Sequence, residues 1–223
     1  MRLPSSFFIS DTDTDVGKTV VAAVLMMGLD ATYWKPVQSG CIDGSDREWV
    51  QRTSGLPSER FAGEVYRLSL PLSPHAAAAH DGVAIDLEAI TPPAVAPGRS
   101  LIVEGAGGLL VPLNDDALMI DLVDRLGLPV LLVARSGLGT LNHTLLSLEA
   151  LVRRRLGVVG VGRLQRHGHE ALAGDVPGHV GAGQRQLLPS GHGRGHPRAA
   201  QLLQRRDHRV RDEREGGLAG DVA

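Results

Sequence analysis

Asp11-Thr12-Asp13-Thr14-Asp15-Val16-Gly17-Lys18-Thr19 is the stretch on which the fold of this 223-residue chain turns. Before it lies Phe7-Phe8-Ile9, an apolar run that reads as a buried strand; after it, Val20 to Leu29 is long enough for a helix. A strand, a loop ending Gly-Lys-Thr and a helix together are the setting of a phosphate-binding loop. Successive backbone N–H groups and the helix N-terminus make an anion cradle, and Gly17 lets the chain approach the phosphates closely. Lys18 is placed to reach β- and γ-phosphate oxygens, and the Thr19 hydroxyl to ligate Mg²⁺. Asp15, Val16, Gly17, Lys18, Thr19 and Val20 are therefore the expected nucleotide contacts. A bare Gly-Lys-Thr also arises as a helix start capped by threonine, and the flanking strand and helix decide against that.

Working outward, lysine usage singles out two positions. Lys18 and Lys35 are the only lysines in the chain, among 23 lysines and arginines together. Lysine is a compact point charge and arginine a wide planar fork, so two sites that keep lysine mark themselves as chemical sites. Net charge is -2, which gives no global argument for nucleic-acid or membrane binding. A single cysteine, Cys41, excludes a disulfide framework and fits a reducing compartment. The apolar residues before Asp11 are too few for a signal peptide or a membrane span, so a cytoplasmic location is expected.

Further along, residues 31–37 read as a second strand that ends near Lys35 and opens into a polar loop containing Ser39. In open parallel sheets ligands bind outside the carboxyl ends of the strands, which puts Lys35 on the same edge as the phosphate loop. Ser45 reads as a helix N-cap, and Asp46 as either a dipole-compensating first-turn acid or a metal-site carboxylate. Residues 65–68 read as a short strand, and a helix starts near His75, which either contacts a ligand or simply caps. Residues 91–98, rich in Pro and Gly, read as a linker. Leu101-Ile102-Val103 is apolar throughout, as a central parallel strand should be. It reads as ending in Glu104-Gly105-Ala106-Gly107, a carboxylate at a strand tip suited to Mg²⁺ or to positioning water. A helix over 120–126, a strand over 130–134, a helix from an N-cap at Thr140 to Arg155 and a strand from Val158 follow. Alternating apolar strands and helices define an α/β fold, doubly wound on a mainly parallel sheet.

From Gly162 onward the periodicity stops, and 28 of the last 62 residues are Gly, Arg or His. The chain divides accordingly into residues 1–161, an incomplete α/β domain, and a tail over 162–223. A disordered tail and an RNA-binding one are two readings; a shifted reading frame explains more. Arg163-Leu164-Gln165-Arg166-His167-Gly168 can be encoded so that reading one nucleotide later gives Val-Phe-Asn-Gly-Thr, which completes the interrupted strand.

Residues 5 to 161 resemble the dethiobiotin synthetase family of P-loop NTPases. The matching segments are residues 12–19, Lys35-Pro36-Val37-Gln38-Ser39-Gly40, Ser45-Asp46, Ser73-Pro74-His75, Glu104-Gly105-Ala106-Gly107-Gly108 and Leu138-Gly139-Thr140-Leu141-Asn142-His143. That resemblance implies ATP and Mg²⁺ as cofactors, and 7,8-diaminononanoate and CO₂ as substrates. One amine becomes a carbamate, the carbamate attacks the γ-phosphate, and the second amine closes a ureido ring. It further implies Lys18 and Lys35 as the catalytic cations. Thr19, Asp46 and Glu104 are the implied metal ligands, with Glu104, Gly105, Ala106 and Gly107 beside the nucleotide. Thr14, Ser39, Gly139, Thr140 and Asn142 are the implied substrate contacts, the last three across a homodimer interface. Asp11 stands where the family usually has glycine, so a strained left-handed backbone and a charge near the phosphates are expected there. A partitioning-ATPase-type switch shares the loop ending, but it carries an additional early lysine, which positions 10 to 16 lack, and it leaves Lys35 unexplained.

Overall fold

Strand β1 (Ser6–Asp11) is buried along five of its six residues, which a strand sustains only when both faces are covered. The computed structural model of the chain describes residues 3–164. In it β1 occupies the middle of a five-stranded sheet. The order runs Ala31–Trp34 (β2), Ser100–Gly108 (β5), β1, Val130–Ala134 (β6) and Val158–Arg163 (β7). Every pairing in it is parallel, so the expected α/β architecture holds.

Alternation along β1 builds two apolar layers. Phe7 and Ile9 face Ala22, Ala23 and Met26 of α1 (Lys18–Gly28), with Tyr33, Ile102 and Val50 of α2 (Asp46–Ser54). Phe8 faces the other way, toward Trp34, Val103 and the Met119, Leu122 and Val123 side of α4 (Met119–Leu126). Each fully buried large side chain contributes roughly 1.5–3 kcal/mol by leaving water, so these layers hold β1 in place. Between them, β5 presses so closely on β1 that a Cβ on Gly105 would lie 2.7 Å from the Phe8 ring. Only glycine fits there.

Four local readings change in the structure. Residues 31–37 form two strands, because Pro36 has no N–H to continue a ladder. Its carbonyl instead accepts the N–H groups of Val65 and Tyr66. That turns Val37–Ser39 (β3) out to pair with Tyr66–Leu68 (β4) in a separate parallel pair. Strand β5 continues through its glycines to Gly108, so Glu104 lies within the strand rather than at its tip. Asp11 closes β1 without a left-handed backbone; that conformation falls on Asp15 (φ 59°) and Gly17 (φ 100°) instead. The helix after β6, α5 (Thr140–Arg153), is capped by Gly139 (φ 91°). Thr140 is therefore its first residue, and its hydroxyl donates to the Arg135 carbonyl.

Other readings hold with small shifts. Ser45 caps α2 in a reciprocal box with Glu48, each side chain meeting the other's backbone N–H. Helix α3 (Pro74–His80) starts one residue before His75, and α1 starts at Lys18 rather than Val20. Strand β7 runs to Arg163. Residues 165–223, on which most of the tail reading falls, lie outside the described residues. Among the described residues no helix is long and apolar enough to cross a membrane.

Candidate active site

The phosphate loop leaves β1 where that strand's neighbours diverge, with β5 on one side and β6 on the other. Brackets of this kind leave a crevice at the carboxyl ends of the strands, and Lys18 and Thr19 open α1 beside it. Gly17 takes φ 100°, which a side chain resists, and an added Cβ there would fall 2.3 Å from Leu164 Cδ1. The residue that follows β7 thus rests directly on the loop.

Lys35, between β2 and β3, turns toward the same carboxylate as Tyr33 two residues earlier, since both reach Glu104 of β5. Its ammonium is almost wholly buried and meets two carboxylates, Asp46 Oδ2 and Glu104 Oε1, the latter at 3.1 Å. Burial works against its charge, but Glu104 and Asp46 outweigh it and hold its pKa above the ordinary lysine range. Glu104 is fully buried in β5 and is met by three donors. Thr19 Oγ1 donates to Oε1 at 3.0 Å, Lys35 to the same oxygen, and the Tyr33 hydroxyl to Oε2 at 2.9 Å. The Asp46 N–H at the start of α2 is held by Gln38 Oε1 at 3.1 Å. The structure therefore brings Lys35, Asp46, Glu104 and Thr19 into one hydrogen-bonded group.

Two carboxylates and a hydroxyl are hard oxygen donors, the set that suits Mg²⁺ when phosphate and water complete its shell. Among the described residues there is no larger cluster of His, Cys, Asp or Glu for a metal ion. The donor chemistry fits an ion shared with a bound polyphosphate rather than one caged by protein alone.

Lys18 is held differently. Its ammonium pairs with the Asp11 carboxylate, which is completely buried. Burial raises the Asp11 pKa, and the neighbouring Lys18 charge pulls the other way. Asp11 Oδ1 has no hydrogen-bond partner, nor does the buried Ser39 Oγ at the end of β3. An unpartnered buried oxygen costs about 1–3 kcal/mol, which a ligand can recover at Ser39.

Thr14 lies exposed on the loop and helps line a cleft of about 310 Å³ between residues 11–14, residues 108–111 and the His143, Leu146 and Ser147 face of α5. Gly139, Thr140 and Asn142 sit at the start of α5, on the same edge of the sheet. No described hydrogen bond or ion pair joins them to Lys18, Lys35 or Glu104. Tyr33, and Gln38 behind Asp46, are contacts of this group to which the sequence assigns no role. The place of Tyr33 among β-branched and aromatic strand residues makes it look like plain core.

A Gly-Lys-Thr loop after a central parallel strand, facing a buried carboxylate and a second lysine, defines a P-loop nucleotide-dependent enzyme. Consistently, residues 5–162 match the AAA domain family. The chain is 56% identical to the ATP-dependent dethiobiotin synthetase BioD of Afipia carboxidovorans over 153 residues, 69% of this chain and 72% of that protein. Against the enzyme of the same name from Paramagnetospirillum magneticum it is 52% identical over 154 residues, 69% and 73% of the two chains. The biotin biosynthesis bifunctional protein BioCD of Bordetella avium is 52% identical over 161 residues, 72% of this chain and 34% of that one. The chain belongs to the dethiobiotin synthetase family. A partitioning-ATPase reading is not favoured by these relatives.

Asp11 departs from what a phosphate cradle needs, and its removal is testable. Asp11→Gly deletes a buried carboxylate with one unpartnered oxygen and frees the Lys18 ammonium. ATP affinity should rise by about tenfold or more, on the order of 1.4 kcal/mol, while the melting temperature of the ATP-free chain should fall, because deleting one partner of a buried pair strands the other. Calorimetric titration with ATP and a thermal melt check the two together; weaker ATP binding in the variant would show that Asp11 supports the loop.

Proposed function

We propose that the chain carries out the reaction its relatives are named for, the ATP- and Mg²⁺-dependent closure of 7,8-diaminononanoate and CO₂ to dethiobiotin, with ADP and phosphate released. The observation that carries this reading is the hydrogen-bonded group of Lys35, Glu104, Asp46 and Thr19, buried at Lys35 and Glu104, next to Lys18 at the start of α1. Lys18 and Lys35 supply fixed positive charge where a carbamate and a transferring phosphoryl group carry negative charge. Because Lys35 is buried and keeps its proton, it acts as an electrostatic stabiliser rather than as a base. Thr19, Asp46 and Glu104 would hold Mg²⁺, which when bound neutralises phosphate charge during transfer. Ser39 offers its unpartnered Oγ to the substrate, and the cleft beside Thr14, walled by Leu109, Leu110 and Leu146, suits an alkyl chain.

A second copy of the chain completes this reading. Leu138, Leu141, Leu145 and Val152 are exposed at helical spacing along α5 and its cap, an apolar stripe that a homodimer would cover. It would carry Gly139, Thr140 and Asn142 to the partner's substrate carboxylate, at a helix N-terminus suited to an anion. A soluble location in the cytoplasm accords with this chemistry, whose substrates are small and water-borne.

Glu104→Gln tests the metal assignment. It keeps shape and removes charge, so Mg²⁺ dependence should move to at least about tenfold higher concentration while the fold persists. The readout is dethiobiotin formation against Mg²⁺ concentration, alongside the melting temperature. A lower melting temperature with an unchanged Mg²⁺ curve would make Glu104 a structural acid.

A further inference from the structure

The Glu104 carboxylate has its two oxygens assigned to opposite sides. Oε1 receives Thr19 and Lys35, the groups on the phosphate side, at 3.0 and 3.1 Å. Oε2 receives only the Tyr33 hydroxyl, at 2.9 Å. The three donors come from three separate segments, α1, the link after β2, and β2 itself. Three donors from different directions fix the plane of a carboxylate, where two on one oxygen leave it free to rotate.

Sheet register explains why Tyr33 is the residue in that position. Tyr33 is paired with Ile102 across β2 and β5, and Glu104 follows Ile102 on the same face. Tyr33 is fully buried, with its ring packed between α1, α2 and the sheet and tilted against Phe61 at 6.1 Å. Its ring cannot follow the carboxylate if the latter moves, so the hydroxyl is a fixed anchor rather than a passive partner. A buried tyrosine could equally satisfy its hydroxyl on a backbone carbonyl; here it is spent on the buried carboxylate of β5.

We propose that Tyr33 is a positioning residue for the reaction: by holding Glu104 Oε2 it directs Oε1 toward Thr19 and the divalent cation that accompanies the nucleotide. The proposal rests on Glu104 being a metal ligand, as argued above. Tyr33 itself touches neither nucleotide nor substrate. Groups that orient a metal ligand from behind commonly matter about 10–100-fold to metal affinity. Without the hydroxyl, Glu104 Oε2 can swing toward Lys35, and the carboxylate then meets the ammonium through both oxygens at the expense of the ion.

Tyr33→Phe removes the hydroxyl and leaves the ring. Mn²⁺ serves as the probe, with its free concentration followed by electron paramagnetic resonance in the presence of a non-hydrolysable ATP analogue. In the full chain, Tyr33→Phe should weaken Mn²⁺ binding by about tenfold or more. In a Glu104→Gln background the same change should have almost no effect, since the group it acts through is gone. Rate measurements are not needed for either arm. Equal Mn²⁺ affinity in wild type and Tyr33→Phe overturns the proposal, and so does an equal loss in both backgrounds. A Tyr33→Phe chain that no longer folds overturns it in favour of a structural role. If Glu104→Gln alone leaves Mn²⁺ affinity unchanged, the metal assignment of Glu104 fails and the proposal falls with it.

Discussion

Lys35→Met is expected to cut turnover sharply and to destabilise the fold in the same stroke. Removing the ammonium leaves Glu104, which is fully buried, without a countercharge. Breaking a buried pair by deleting one partner costs about 3–5 kcal/mol, because the remaining charge is stranded. For a chain of this size, 1 kcal/mol is worth roughly 2–4 °C in melting temperature, so a drop of about 10 °C is expected. Turnover should fall by on the order of a hundredfold to a thousandfold, as when a preorganised electrostatic donor is lost. Lys35→Arg separates the two effects. It preserves a charge beside Glu104 and Asp46 and should recover most of the stability, but the planar fork cannot place a single donor where the compact ammonium stood. Purified Lys35→Arg with near-normal turnover would remove Lys35 from the catalytic set.

A gain of comparable size is expected from the gene rather than from a side chain. Deleting one nucleotide in the codon for Arg163 should raise ATP affinity, solubility and dethiobiotin formation together. The match to the AAA domain family runs to residue 162, where the sequence turns from strand-like to rich in Gly, Arg and His. Two residues later, Leu164 rests against Gly17 in the phosphate loop. An altered frame at that point therefore begins within reach of the nucleotide cradle, where a change of side chain is felt at once. The measurement compares the two frames expressed side by side, by ATP titration and product assay. Tight ATP binding and full turnover by the chain as written would dispose of the frame reading.

What the sequence made legible, and what it hid, follow from local against non-local physics. The phosphate loop, the cap at Ser45 and strand β6 are local: each is dictated by neighbours within a few residues, and each stands where its residues placed it. Glu104 was legible as a carboxylate next to glycines, but not as a mid-strand residue. The close approach that lets β5 run on past it depends on Phe8, nearly a hundred positions away. The split at Pro36 was equally obscure, since apolar residues on both sides kept a strand-like pattern while the missing N–H broke the ladder. Thr140 carried the chemistry of a cap, yet the left-handed Gly139 had already taken the position. Tyr33 was invisible as a functional residue for the same reason. Its hydroxyl acquires a role only when β2 and β5 are brought into register.

The central place of β1 also sets a timetable. Among the described residues it precedes every other strand, yet both of its neighbours, β5 and β6, come much later in the chain. At a synthesis rate of about 5–20 residues per second, the delay until β6 is made is roughly 6–25 s. Until β5 emerges, Phe7, Phe8 and Ile9, all fully buried in the finished sheet, have neither of the strands they lie against, and until β6 emerges they have only one. The nascent chain thus carries an adhesive segment well before it can be covered, which makes it a natural client for chaperones that guard emerging chains. The loop that grips the nucleotide is translated long before the strands that give it its shape.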